Sequence, residues 1–169
     1  MLNALRRRAE TRKTSDTLLA GTIARARQPA FYEKLGVPDT IDGRFDLLVL
    51  HAWLVLDRLH AQGADALSRS LIDGIFVQFD EALREQGAGD MGMGRRMTKM
   101  ADAFYGRLKA YREAADEAAL ADAIVRNLYR GDAGKVEAAR ALAIYAASAR
   151  ESLSHADLNS GAPDFGPEP

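Results

Sequence analysis

Three glycines, three histidines and one basic run are the residues of this 169-residue chain whose types and spacing could carry chemistry. Gly87, Gly89 and Gly92 spell G-x-G-x-x-G, the pattern in which a glycine turn brings backbone N–H groups onto a pyrophosphate. That chemistry needs a strand ahead of the glycines and a parallel sheet around them. Here the preceding residues, Leu67 to Leu83, repeat apolar groups at helical spacing, which predicts a sharp helix-to-helix reversal and no bound dinucleotide. His51 and His60 lie too far apart in sequence for the i, i+4 pair that holds zinc, and neither H-E-x-x-H nor Glu-x-x-His occurs. A packed or surface role is read for them and for His155. Ser68, Ser70, Ser148, Ser152 and Ser154 have no G-x-S-x-G elbow around them. The chain has no cysteine, which removes thiolate nucleophiles, disulfides and Cys-ligated zinc. The expectation is a protein that is not an enzyme and holds no cofactor or metal. One chemical alternative stays open, haem handling through His51 or His60, because a single axial histidine suffices.

The basic run is more informative. Gly94 to Arg112 carries six cations, Arg95, Arg96, Lys99, Arg107, Lys109 and Arg112, against one acid, Asp102. On a helix turning about 100° per residue, Ala103, Gly106 and Ala110 fall opposite the Met97, Phe104 and Leu108 stripe, with Lys99 among them and Arg107 toward one edge. A glycine exposed in mid-helix costs about 1 kcal/mol relative to alanine, so the small-residue seam asks for a reason. Either a neighbouring helix of the same domain fills it, or the helix of another protein docks there, as small residues allow in membrane helix pairs. Arg95, Arg96, Lys99, Ala103, Gly106, Arg107 and Ala110 are the candidate partner-binding residues. The overall charge of −1 and the absence of a nucleic-acid motif argue against DNA and leave a ribosome- or RNA-associated adaptor as an alternative.

The elements that position these residues read as all-α, a single-domain bundle of about six to seven helices. Thr14 or Ser15 caps a helix to about Arg27. Pro29 opens a short one through Leu35, which Gly36 and Pro38 end. The helix over 44–61 is apolar on two faces, with a narrow polar strip at Asp46 and Asp57, and is expected at the centre. Helices follow over 66–85, along the Met97 to Tyr111 stripe after a glycine loop through Gly94, from the acidic Glu113, Asp116 and Glu117 to Tyr129, and over 135–153. No stretch predicts strands, repeats, a signal peptide or a membrane-spanning helix. Residues 1–14 form a basic segment, with five cations between Met1 and Lys13 against Glu10, expected to fray; a short amphipathic turn at Leu2 and Leu5 touching an anionic membrane is the alternative. Residues 15–154 form the helical domain, and 155–169 an acidic, Gly/Pro-containing tail expected to be disordered.

Two of these stretches also carry a family resemblance. The Asp90-x-Gly92-x-Gly94-Arg95-Arg96 junction and the Phe104-Tyr105-Gly106-Arg107 run, within a match from about Phe31 to Tyr129, are similar to the ubiquinol–cytochrome c chaperone family of alphaproteobacteria and mitochondria. Met91 and Met93 stand where other aliphatic residues are common in that family, and residues 1–28 and 131–169 carry no resemblance. The resemblance implies an all-helical assembly factor for the respiratory cytochrome bc complex that engages newly made cytochrome b. For mitochondrial members it implies a small helical partner protein and association with the ribosome near the tunnel exit. It also implies work in the cytoplasm or at the periphery of the inner membrane.

Overall fold

The computed structural model describes residues 2–85, 90–159 and 161–169. Seven α-helices and one 3₁₀ turn make up the regular structure of these residues, with no strand among them: α1 Leu2–Ala26, α2 Pro29–Glu33, α3 Ile41–Ala61, α4 Asp65–Glu85, α5 Asp90–Glu113, α6 Glu117–Asn127, the 3₁₀ turn Ala133–Lys135, and α7 Val136–Ser154. The all-α bundle predicted by the apolar periodicity is therefore the fold.

Helix α3 is the axis. Thr40 caps it, its hydroxyl accepting from the Gly43 N–H at 3.1 Å. Gly43 has to be glycine, because a Cβ there would sit 2.0 Å from the Pro38 carbonyl oxygen. From Leu47 to Leu59 both faces are covered, by α1 and α4 on one side and α5 and α7 on the other. Each fully buried leucine along it contributes roughly 1.5–3 kcal/mol relative to an exposed one. Asp57, half-buried, pairs with Arg150 of α7 at 2.8 Å. The polar strip expected at Asp46 and Asp57 is only half real, since Asp46 is fully buried.

Three further expectations change. The first helix begins at Leu2, not at Thr14 or Ser15, so the basic segment is a helical extension of α1. Gly92 and Gly94 lie inside α5, which starts at Asp90; Gly87 and Gly89 lie outside the described residues. The tail is not free chain. Leu158 and Phe165 are buried in the core, Pro163 lies against Gly21, and Arg25 donates to the Gly166 carbonyl. The burial of one aromatic ring anchors a segment whose Gly/Pro composition predicts disorder.

Phe165 packs edge-on to His51 at 5.3 Å, and Phe31 does the same at 5.1 Å. His51 Nδ1 lies 2.8 Å from the Leu47 carbonyl, which can only accept, so Nδ1 carries the proton and Nε2 accepts from the Tyr145 hydroxyl at 2.9 Å. Burial lowers the His51 pKa from its ordinary 6.5 to about 4, against the pull of the Leu47 hydrogen bond and assisted by Arg25. The ring is neutral in the folded protein, while the unfolded chain takes up a proton below pH 6.5. The stability His51 contributes is therefore present above pH 6.5 and lost as pH falls toward 4, by up to about 3 kcal/mol. Urea melts from pH 7 to pH 4 should show this decline, and a His51→Asn variant should show a shallower one. Equal slopes would contradict the assignment.

Candidate functional site

The side chains of α5 divide into an inward and an outward set. Phe104, Leu108 and Tyr111 are buried, and Met97 and Met100 pack against the core. Phe104 continues an aromatic ladder from Phe79, 6.3 Å away, through Phe76 at 5.4 Å to Tyr105, which reaches solvent with 52% of its surface exposed. Helix propensity does not explain the far side. Gly106 is exposed, and a Cβ built there meets nothing within 4 Å. The neighbouring-helix reading therefore fails at Gly106 itself, where nothing among the described residues meets the built Cβ, although Ala110 farther along the seam packs against the core.

The other candidate residues do not share one environment. Arg95, Arg96 and Lys99 are exposed and make no ion pair among the described residues. Ala103 is half-buried, and Ala110 packs against the core. Arg107 turns inward, its side chain only 13% exposed, with Nε 2.6 Å from Oδ1 of Asp46 and the guanidinium 5.2 Å from the centre of the Phe45 ring. Arg130, held at a positive φ of 56° just after α6, reaches the other carboxylate oxygen of Asp46 at 2.8 Å. Asp46 thus clamps α3 to α5 and to the turn after α6. Both guanidinium groups act on Asp46 through charge and through hydrogen bonding, so the clamp is a charge-assisted one. Burial raises the Asp46 pKa from 3.8 to about 6 in spite of the two guanidinium groups. Arg107 is a structural cation, and of the candidate residues Arg95, Arg96, Lys99 and Gly106 are the exposed ones, with Tyr105 exposed beside Gly106.

Beside the clamp lies a cleft of about 440 Å³ that sequence reasoning missed. Its walls include Phe45 and Leu48 of α3, Phe79 of α4 and Met100 of α5, with Arg44 and Glu85 among its charged residues. The apolar face of α3 that carries Phe45 and Leu48 was its signal in the sequence, and that face is equally explained by core packing.

The three histidines sit in different environments. Both ring nitrogens of His51 are engaged, so haem ligation would require breaking its bond to Tyr145; His60 is exposed, and His155 pairs with Glu151 at 3.1 Å. Among the described residues no group of three or more His, Asp or Glu side chains is placed to hold a metal ion.

Removing the mid-helix glycine tests the openness of this face directly. Gly106→Ala should stabilise the protein by up to about 1 kcal/mol, because alanine gains helix propensity and meets no neighbour. A thermal melt that shifts downward would show that the space is filled after all.

Comparison with known proteins places these features in context. The sequence profile described as "Ubiquinol-cytochrome C chaperone" matches residues 33–160. The chain is 26% identical over 110 residues to the ubiquinol-cytochrome-c reductase complex assembly factor 1 of Xenopus laevis, covering 63% of this chain and 55% of that protein, so it spans about half the length of that curated relative. The crystal structure of the Cbp3 homolog from Brucella abortus superposes with a TM-score of 0.81 at 34% identity, covering 96% of this chain and 95% of that one.

Proposed function

Because the chain belongs to the ubiquinol–cytochrome C chaperone family, we propose that it is an assembly factor for ubiquinol–cytochrome c reductase that binds newly made cytochrome b through the outward face of α5. The observation that carries this reading is the open backbone at Gly106. A multi-helix membrane client whose helices have not yet paired offers small-residue faces, and a glycine without neighbours lets such a helix approach the α5 backbone closely. Tyr105 beside it supplies an exposed amphipathic ring of the kind enriched where one side of a contact is apolar and the other wet. Arg95, Arg96 and Lys99, exposed and without an ion pair among the described residues about two to three turns earlier, add cations for acidic loops of the client. This is binding without turnover, and it needs no cofactor.

The chain would work at a membrane surface and not within the bilayer: no helix among the described residues is long and apolar enough to cross a membrane. A small helical partner protein or a ribosome would engage other parts of the surface or the same three cations.

Reversal of those cations tests the reading. Arg95→Glu, Arg96→Glu and Lys99→Glu together should reduce co-purification of cytochrome b by about tenfold or more, equivalent to about 1.4 kcal/mol. Helicity should not change, because exposed charges at this end of α5 contribute little to folding. Undiminished co-purification would remove the basic face from the site. Loss of ribosome association alone, with cytochrome b retained, would reassign it.

A further inference from the structure

The first three turns of α1 serve neither the core nor the α5 face. From Asn3 to Lys13 every side chain is exposed except the half-buried Thr11, and burial begins only at Ser15 and Leu18. This stretch holds Arg6, Arg7, Arg8, Arg12 and Lys13 against the single acid Glu10. Arg6 pairs with Glu10 at 3.6 Å; the other four cations make no ion pair among the described residues. Leu5 is 58% exposed, the largest exposure among the large apolar side chains of the described residues. At helical spacing Leu5 and Ala9 share a face, with Arg8 and Arg12 along one flank and Arg6 and Lys13 along the other. Glu10 and Arg7 lie toward the back. Five turns on, Ile23 falls in line with Leu5 and packs against the core, so the face is open at residues 3–13 because nothing of the domain reaches that far along α1.

We infer that this helical extension docks on an anionic lipid surface, with Leu5 at the boundary between headgroups and acyl chains and the flanking cations on the lipid phosphates. An RNA backbone would satisfy the arginines equally well, but it offers nothing to an exposed leucine centred between them, whereas a lipid interface takes both. One leucine and a short polybasic stretch give weak, reversible, salt-sensitive attachment. Such attachment brings the protein to a membrane without inserting it. The inference does not depend on the client site, and its failure leaves that reading standing.

Flotation of the full chain with vesicles tests it. The protein should float with vesicles containing one-third phosphatidylglycerol at low salt, stay behind with pure phosphatidylcholine vesicles, and be released as salt is raised. Arg6→Glu, Arg8→Glu and Arg12→Glu together should abolish flotation, and Leu5→Ser should reduce it severalfold, both with the wild-type melting temperature. Reversal of Arg95, Arg96 and Lys99 should leave it unchanged. Equal flotation with neutral vesicles, no flotation at all, or flotation that survives reversal of the α1 cations would overturn the inference. Salt-dependent RNA binding through these arginines without vesicle binding would overturn it in favour of RNA.

Discussion

Arg107→Ala will cost about 3–5 kcal/mol of folding stability at pH 7, because it leaves the fully buried Asp46 carboxylate with only the half-exposed Arg130 as its counter-charge. The pH dependence of that loss distinguishes it from a simple packing defect. Asp46 already has its pKa raised from 3.8 to about 6, and removal of the nearer guanidinium raises it further. A raised pKa means that the folded state holds the proton more tightly than the unfolded chain. The stabilising contribution is then present at low pH and lost as pH rises through the folded-state pKa. The variant should therefore recover part of its deficit between pH 7 and pH 5, where Asp46 accepts a proton and no longer needs a partner. Combining Arg107→Met with Asp46→Asn should cost less than the sum of the two single changes, since the double variant buries neither charge. Denaturant melts at the two pH values measure all of this. A loss below about 1 kcal/mol, or strictly additive single losses, would show that the clamp is not what holds α5 to α3.

Gly106→Leu should have the opposite signature. With nothing within 4 Å of the built Cβ and the position exposed, leucine can extend into solvent and gains helix propensity, so the isolated protein should melt at or slightly above the wild-type temperature. The same side chain would stand where a docked helix needs its closest approach, and overpacking there should cost the complex about 1–3 kcal/mol. That corresponds to a loss of roughly fivefold to more than a hundredfold in co-purified cytochrome b. A leucine variant that loses stability before it loses binding would place the Gly106 face inside the domain.

These two residues show where local sequence was enough and where it was not. The central position of α3 follows from apolar groups on two faces, and the inward stripe of α5 from Met97, Phe104 and Leu108; both are patterns of a single helix. The partners of Asp46 are not local. Arg107 and Arg130 lie on later elements, so Asp46 reads as a solvated strip and Arg107 as one more surface cation until the chain is folded. Gly92 and Gly94 mislead in another way, since glycine ordinarily punctuates helices but here continues one. The α1 extension is hidden because residues 3–13 bury nothing and so carry no apolar period. The anchoring of the tail is hidden because it rests on Leu158 and Phe165 amid Gly, Pro and Asp. Gly106 was legible as an oddity. Whether its face was filled or open depended on the placement of every other helix.

Site-specific photo-crosslinking tests the central claim most directly. A benzophenone side chain placed at Tyr105, next to the open glycine, and in a separate variant at Ile144, an equally exposed apolar position on α7, can be activated in cells making cytochrome b. Adducts to cytochrome b from position 105, with none from position 144, are the predicted result. Adducts from 144 alone, or none from 105 while cytochrome b still co-purifies with the protein, would contradict the assignment of the α5 face as the client site.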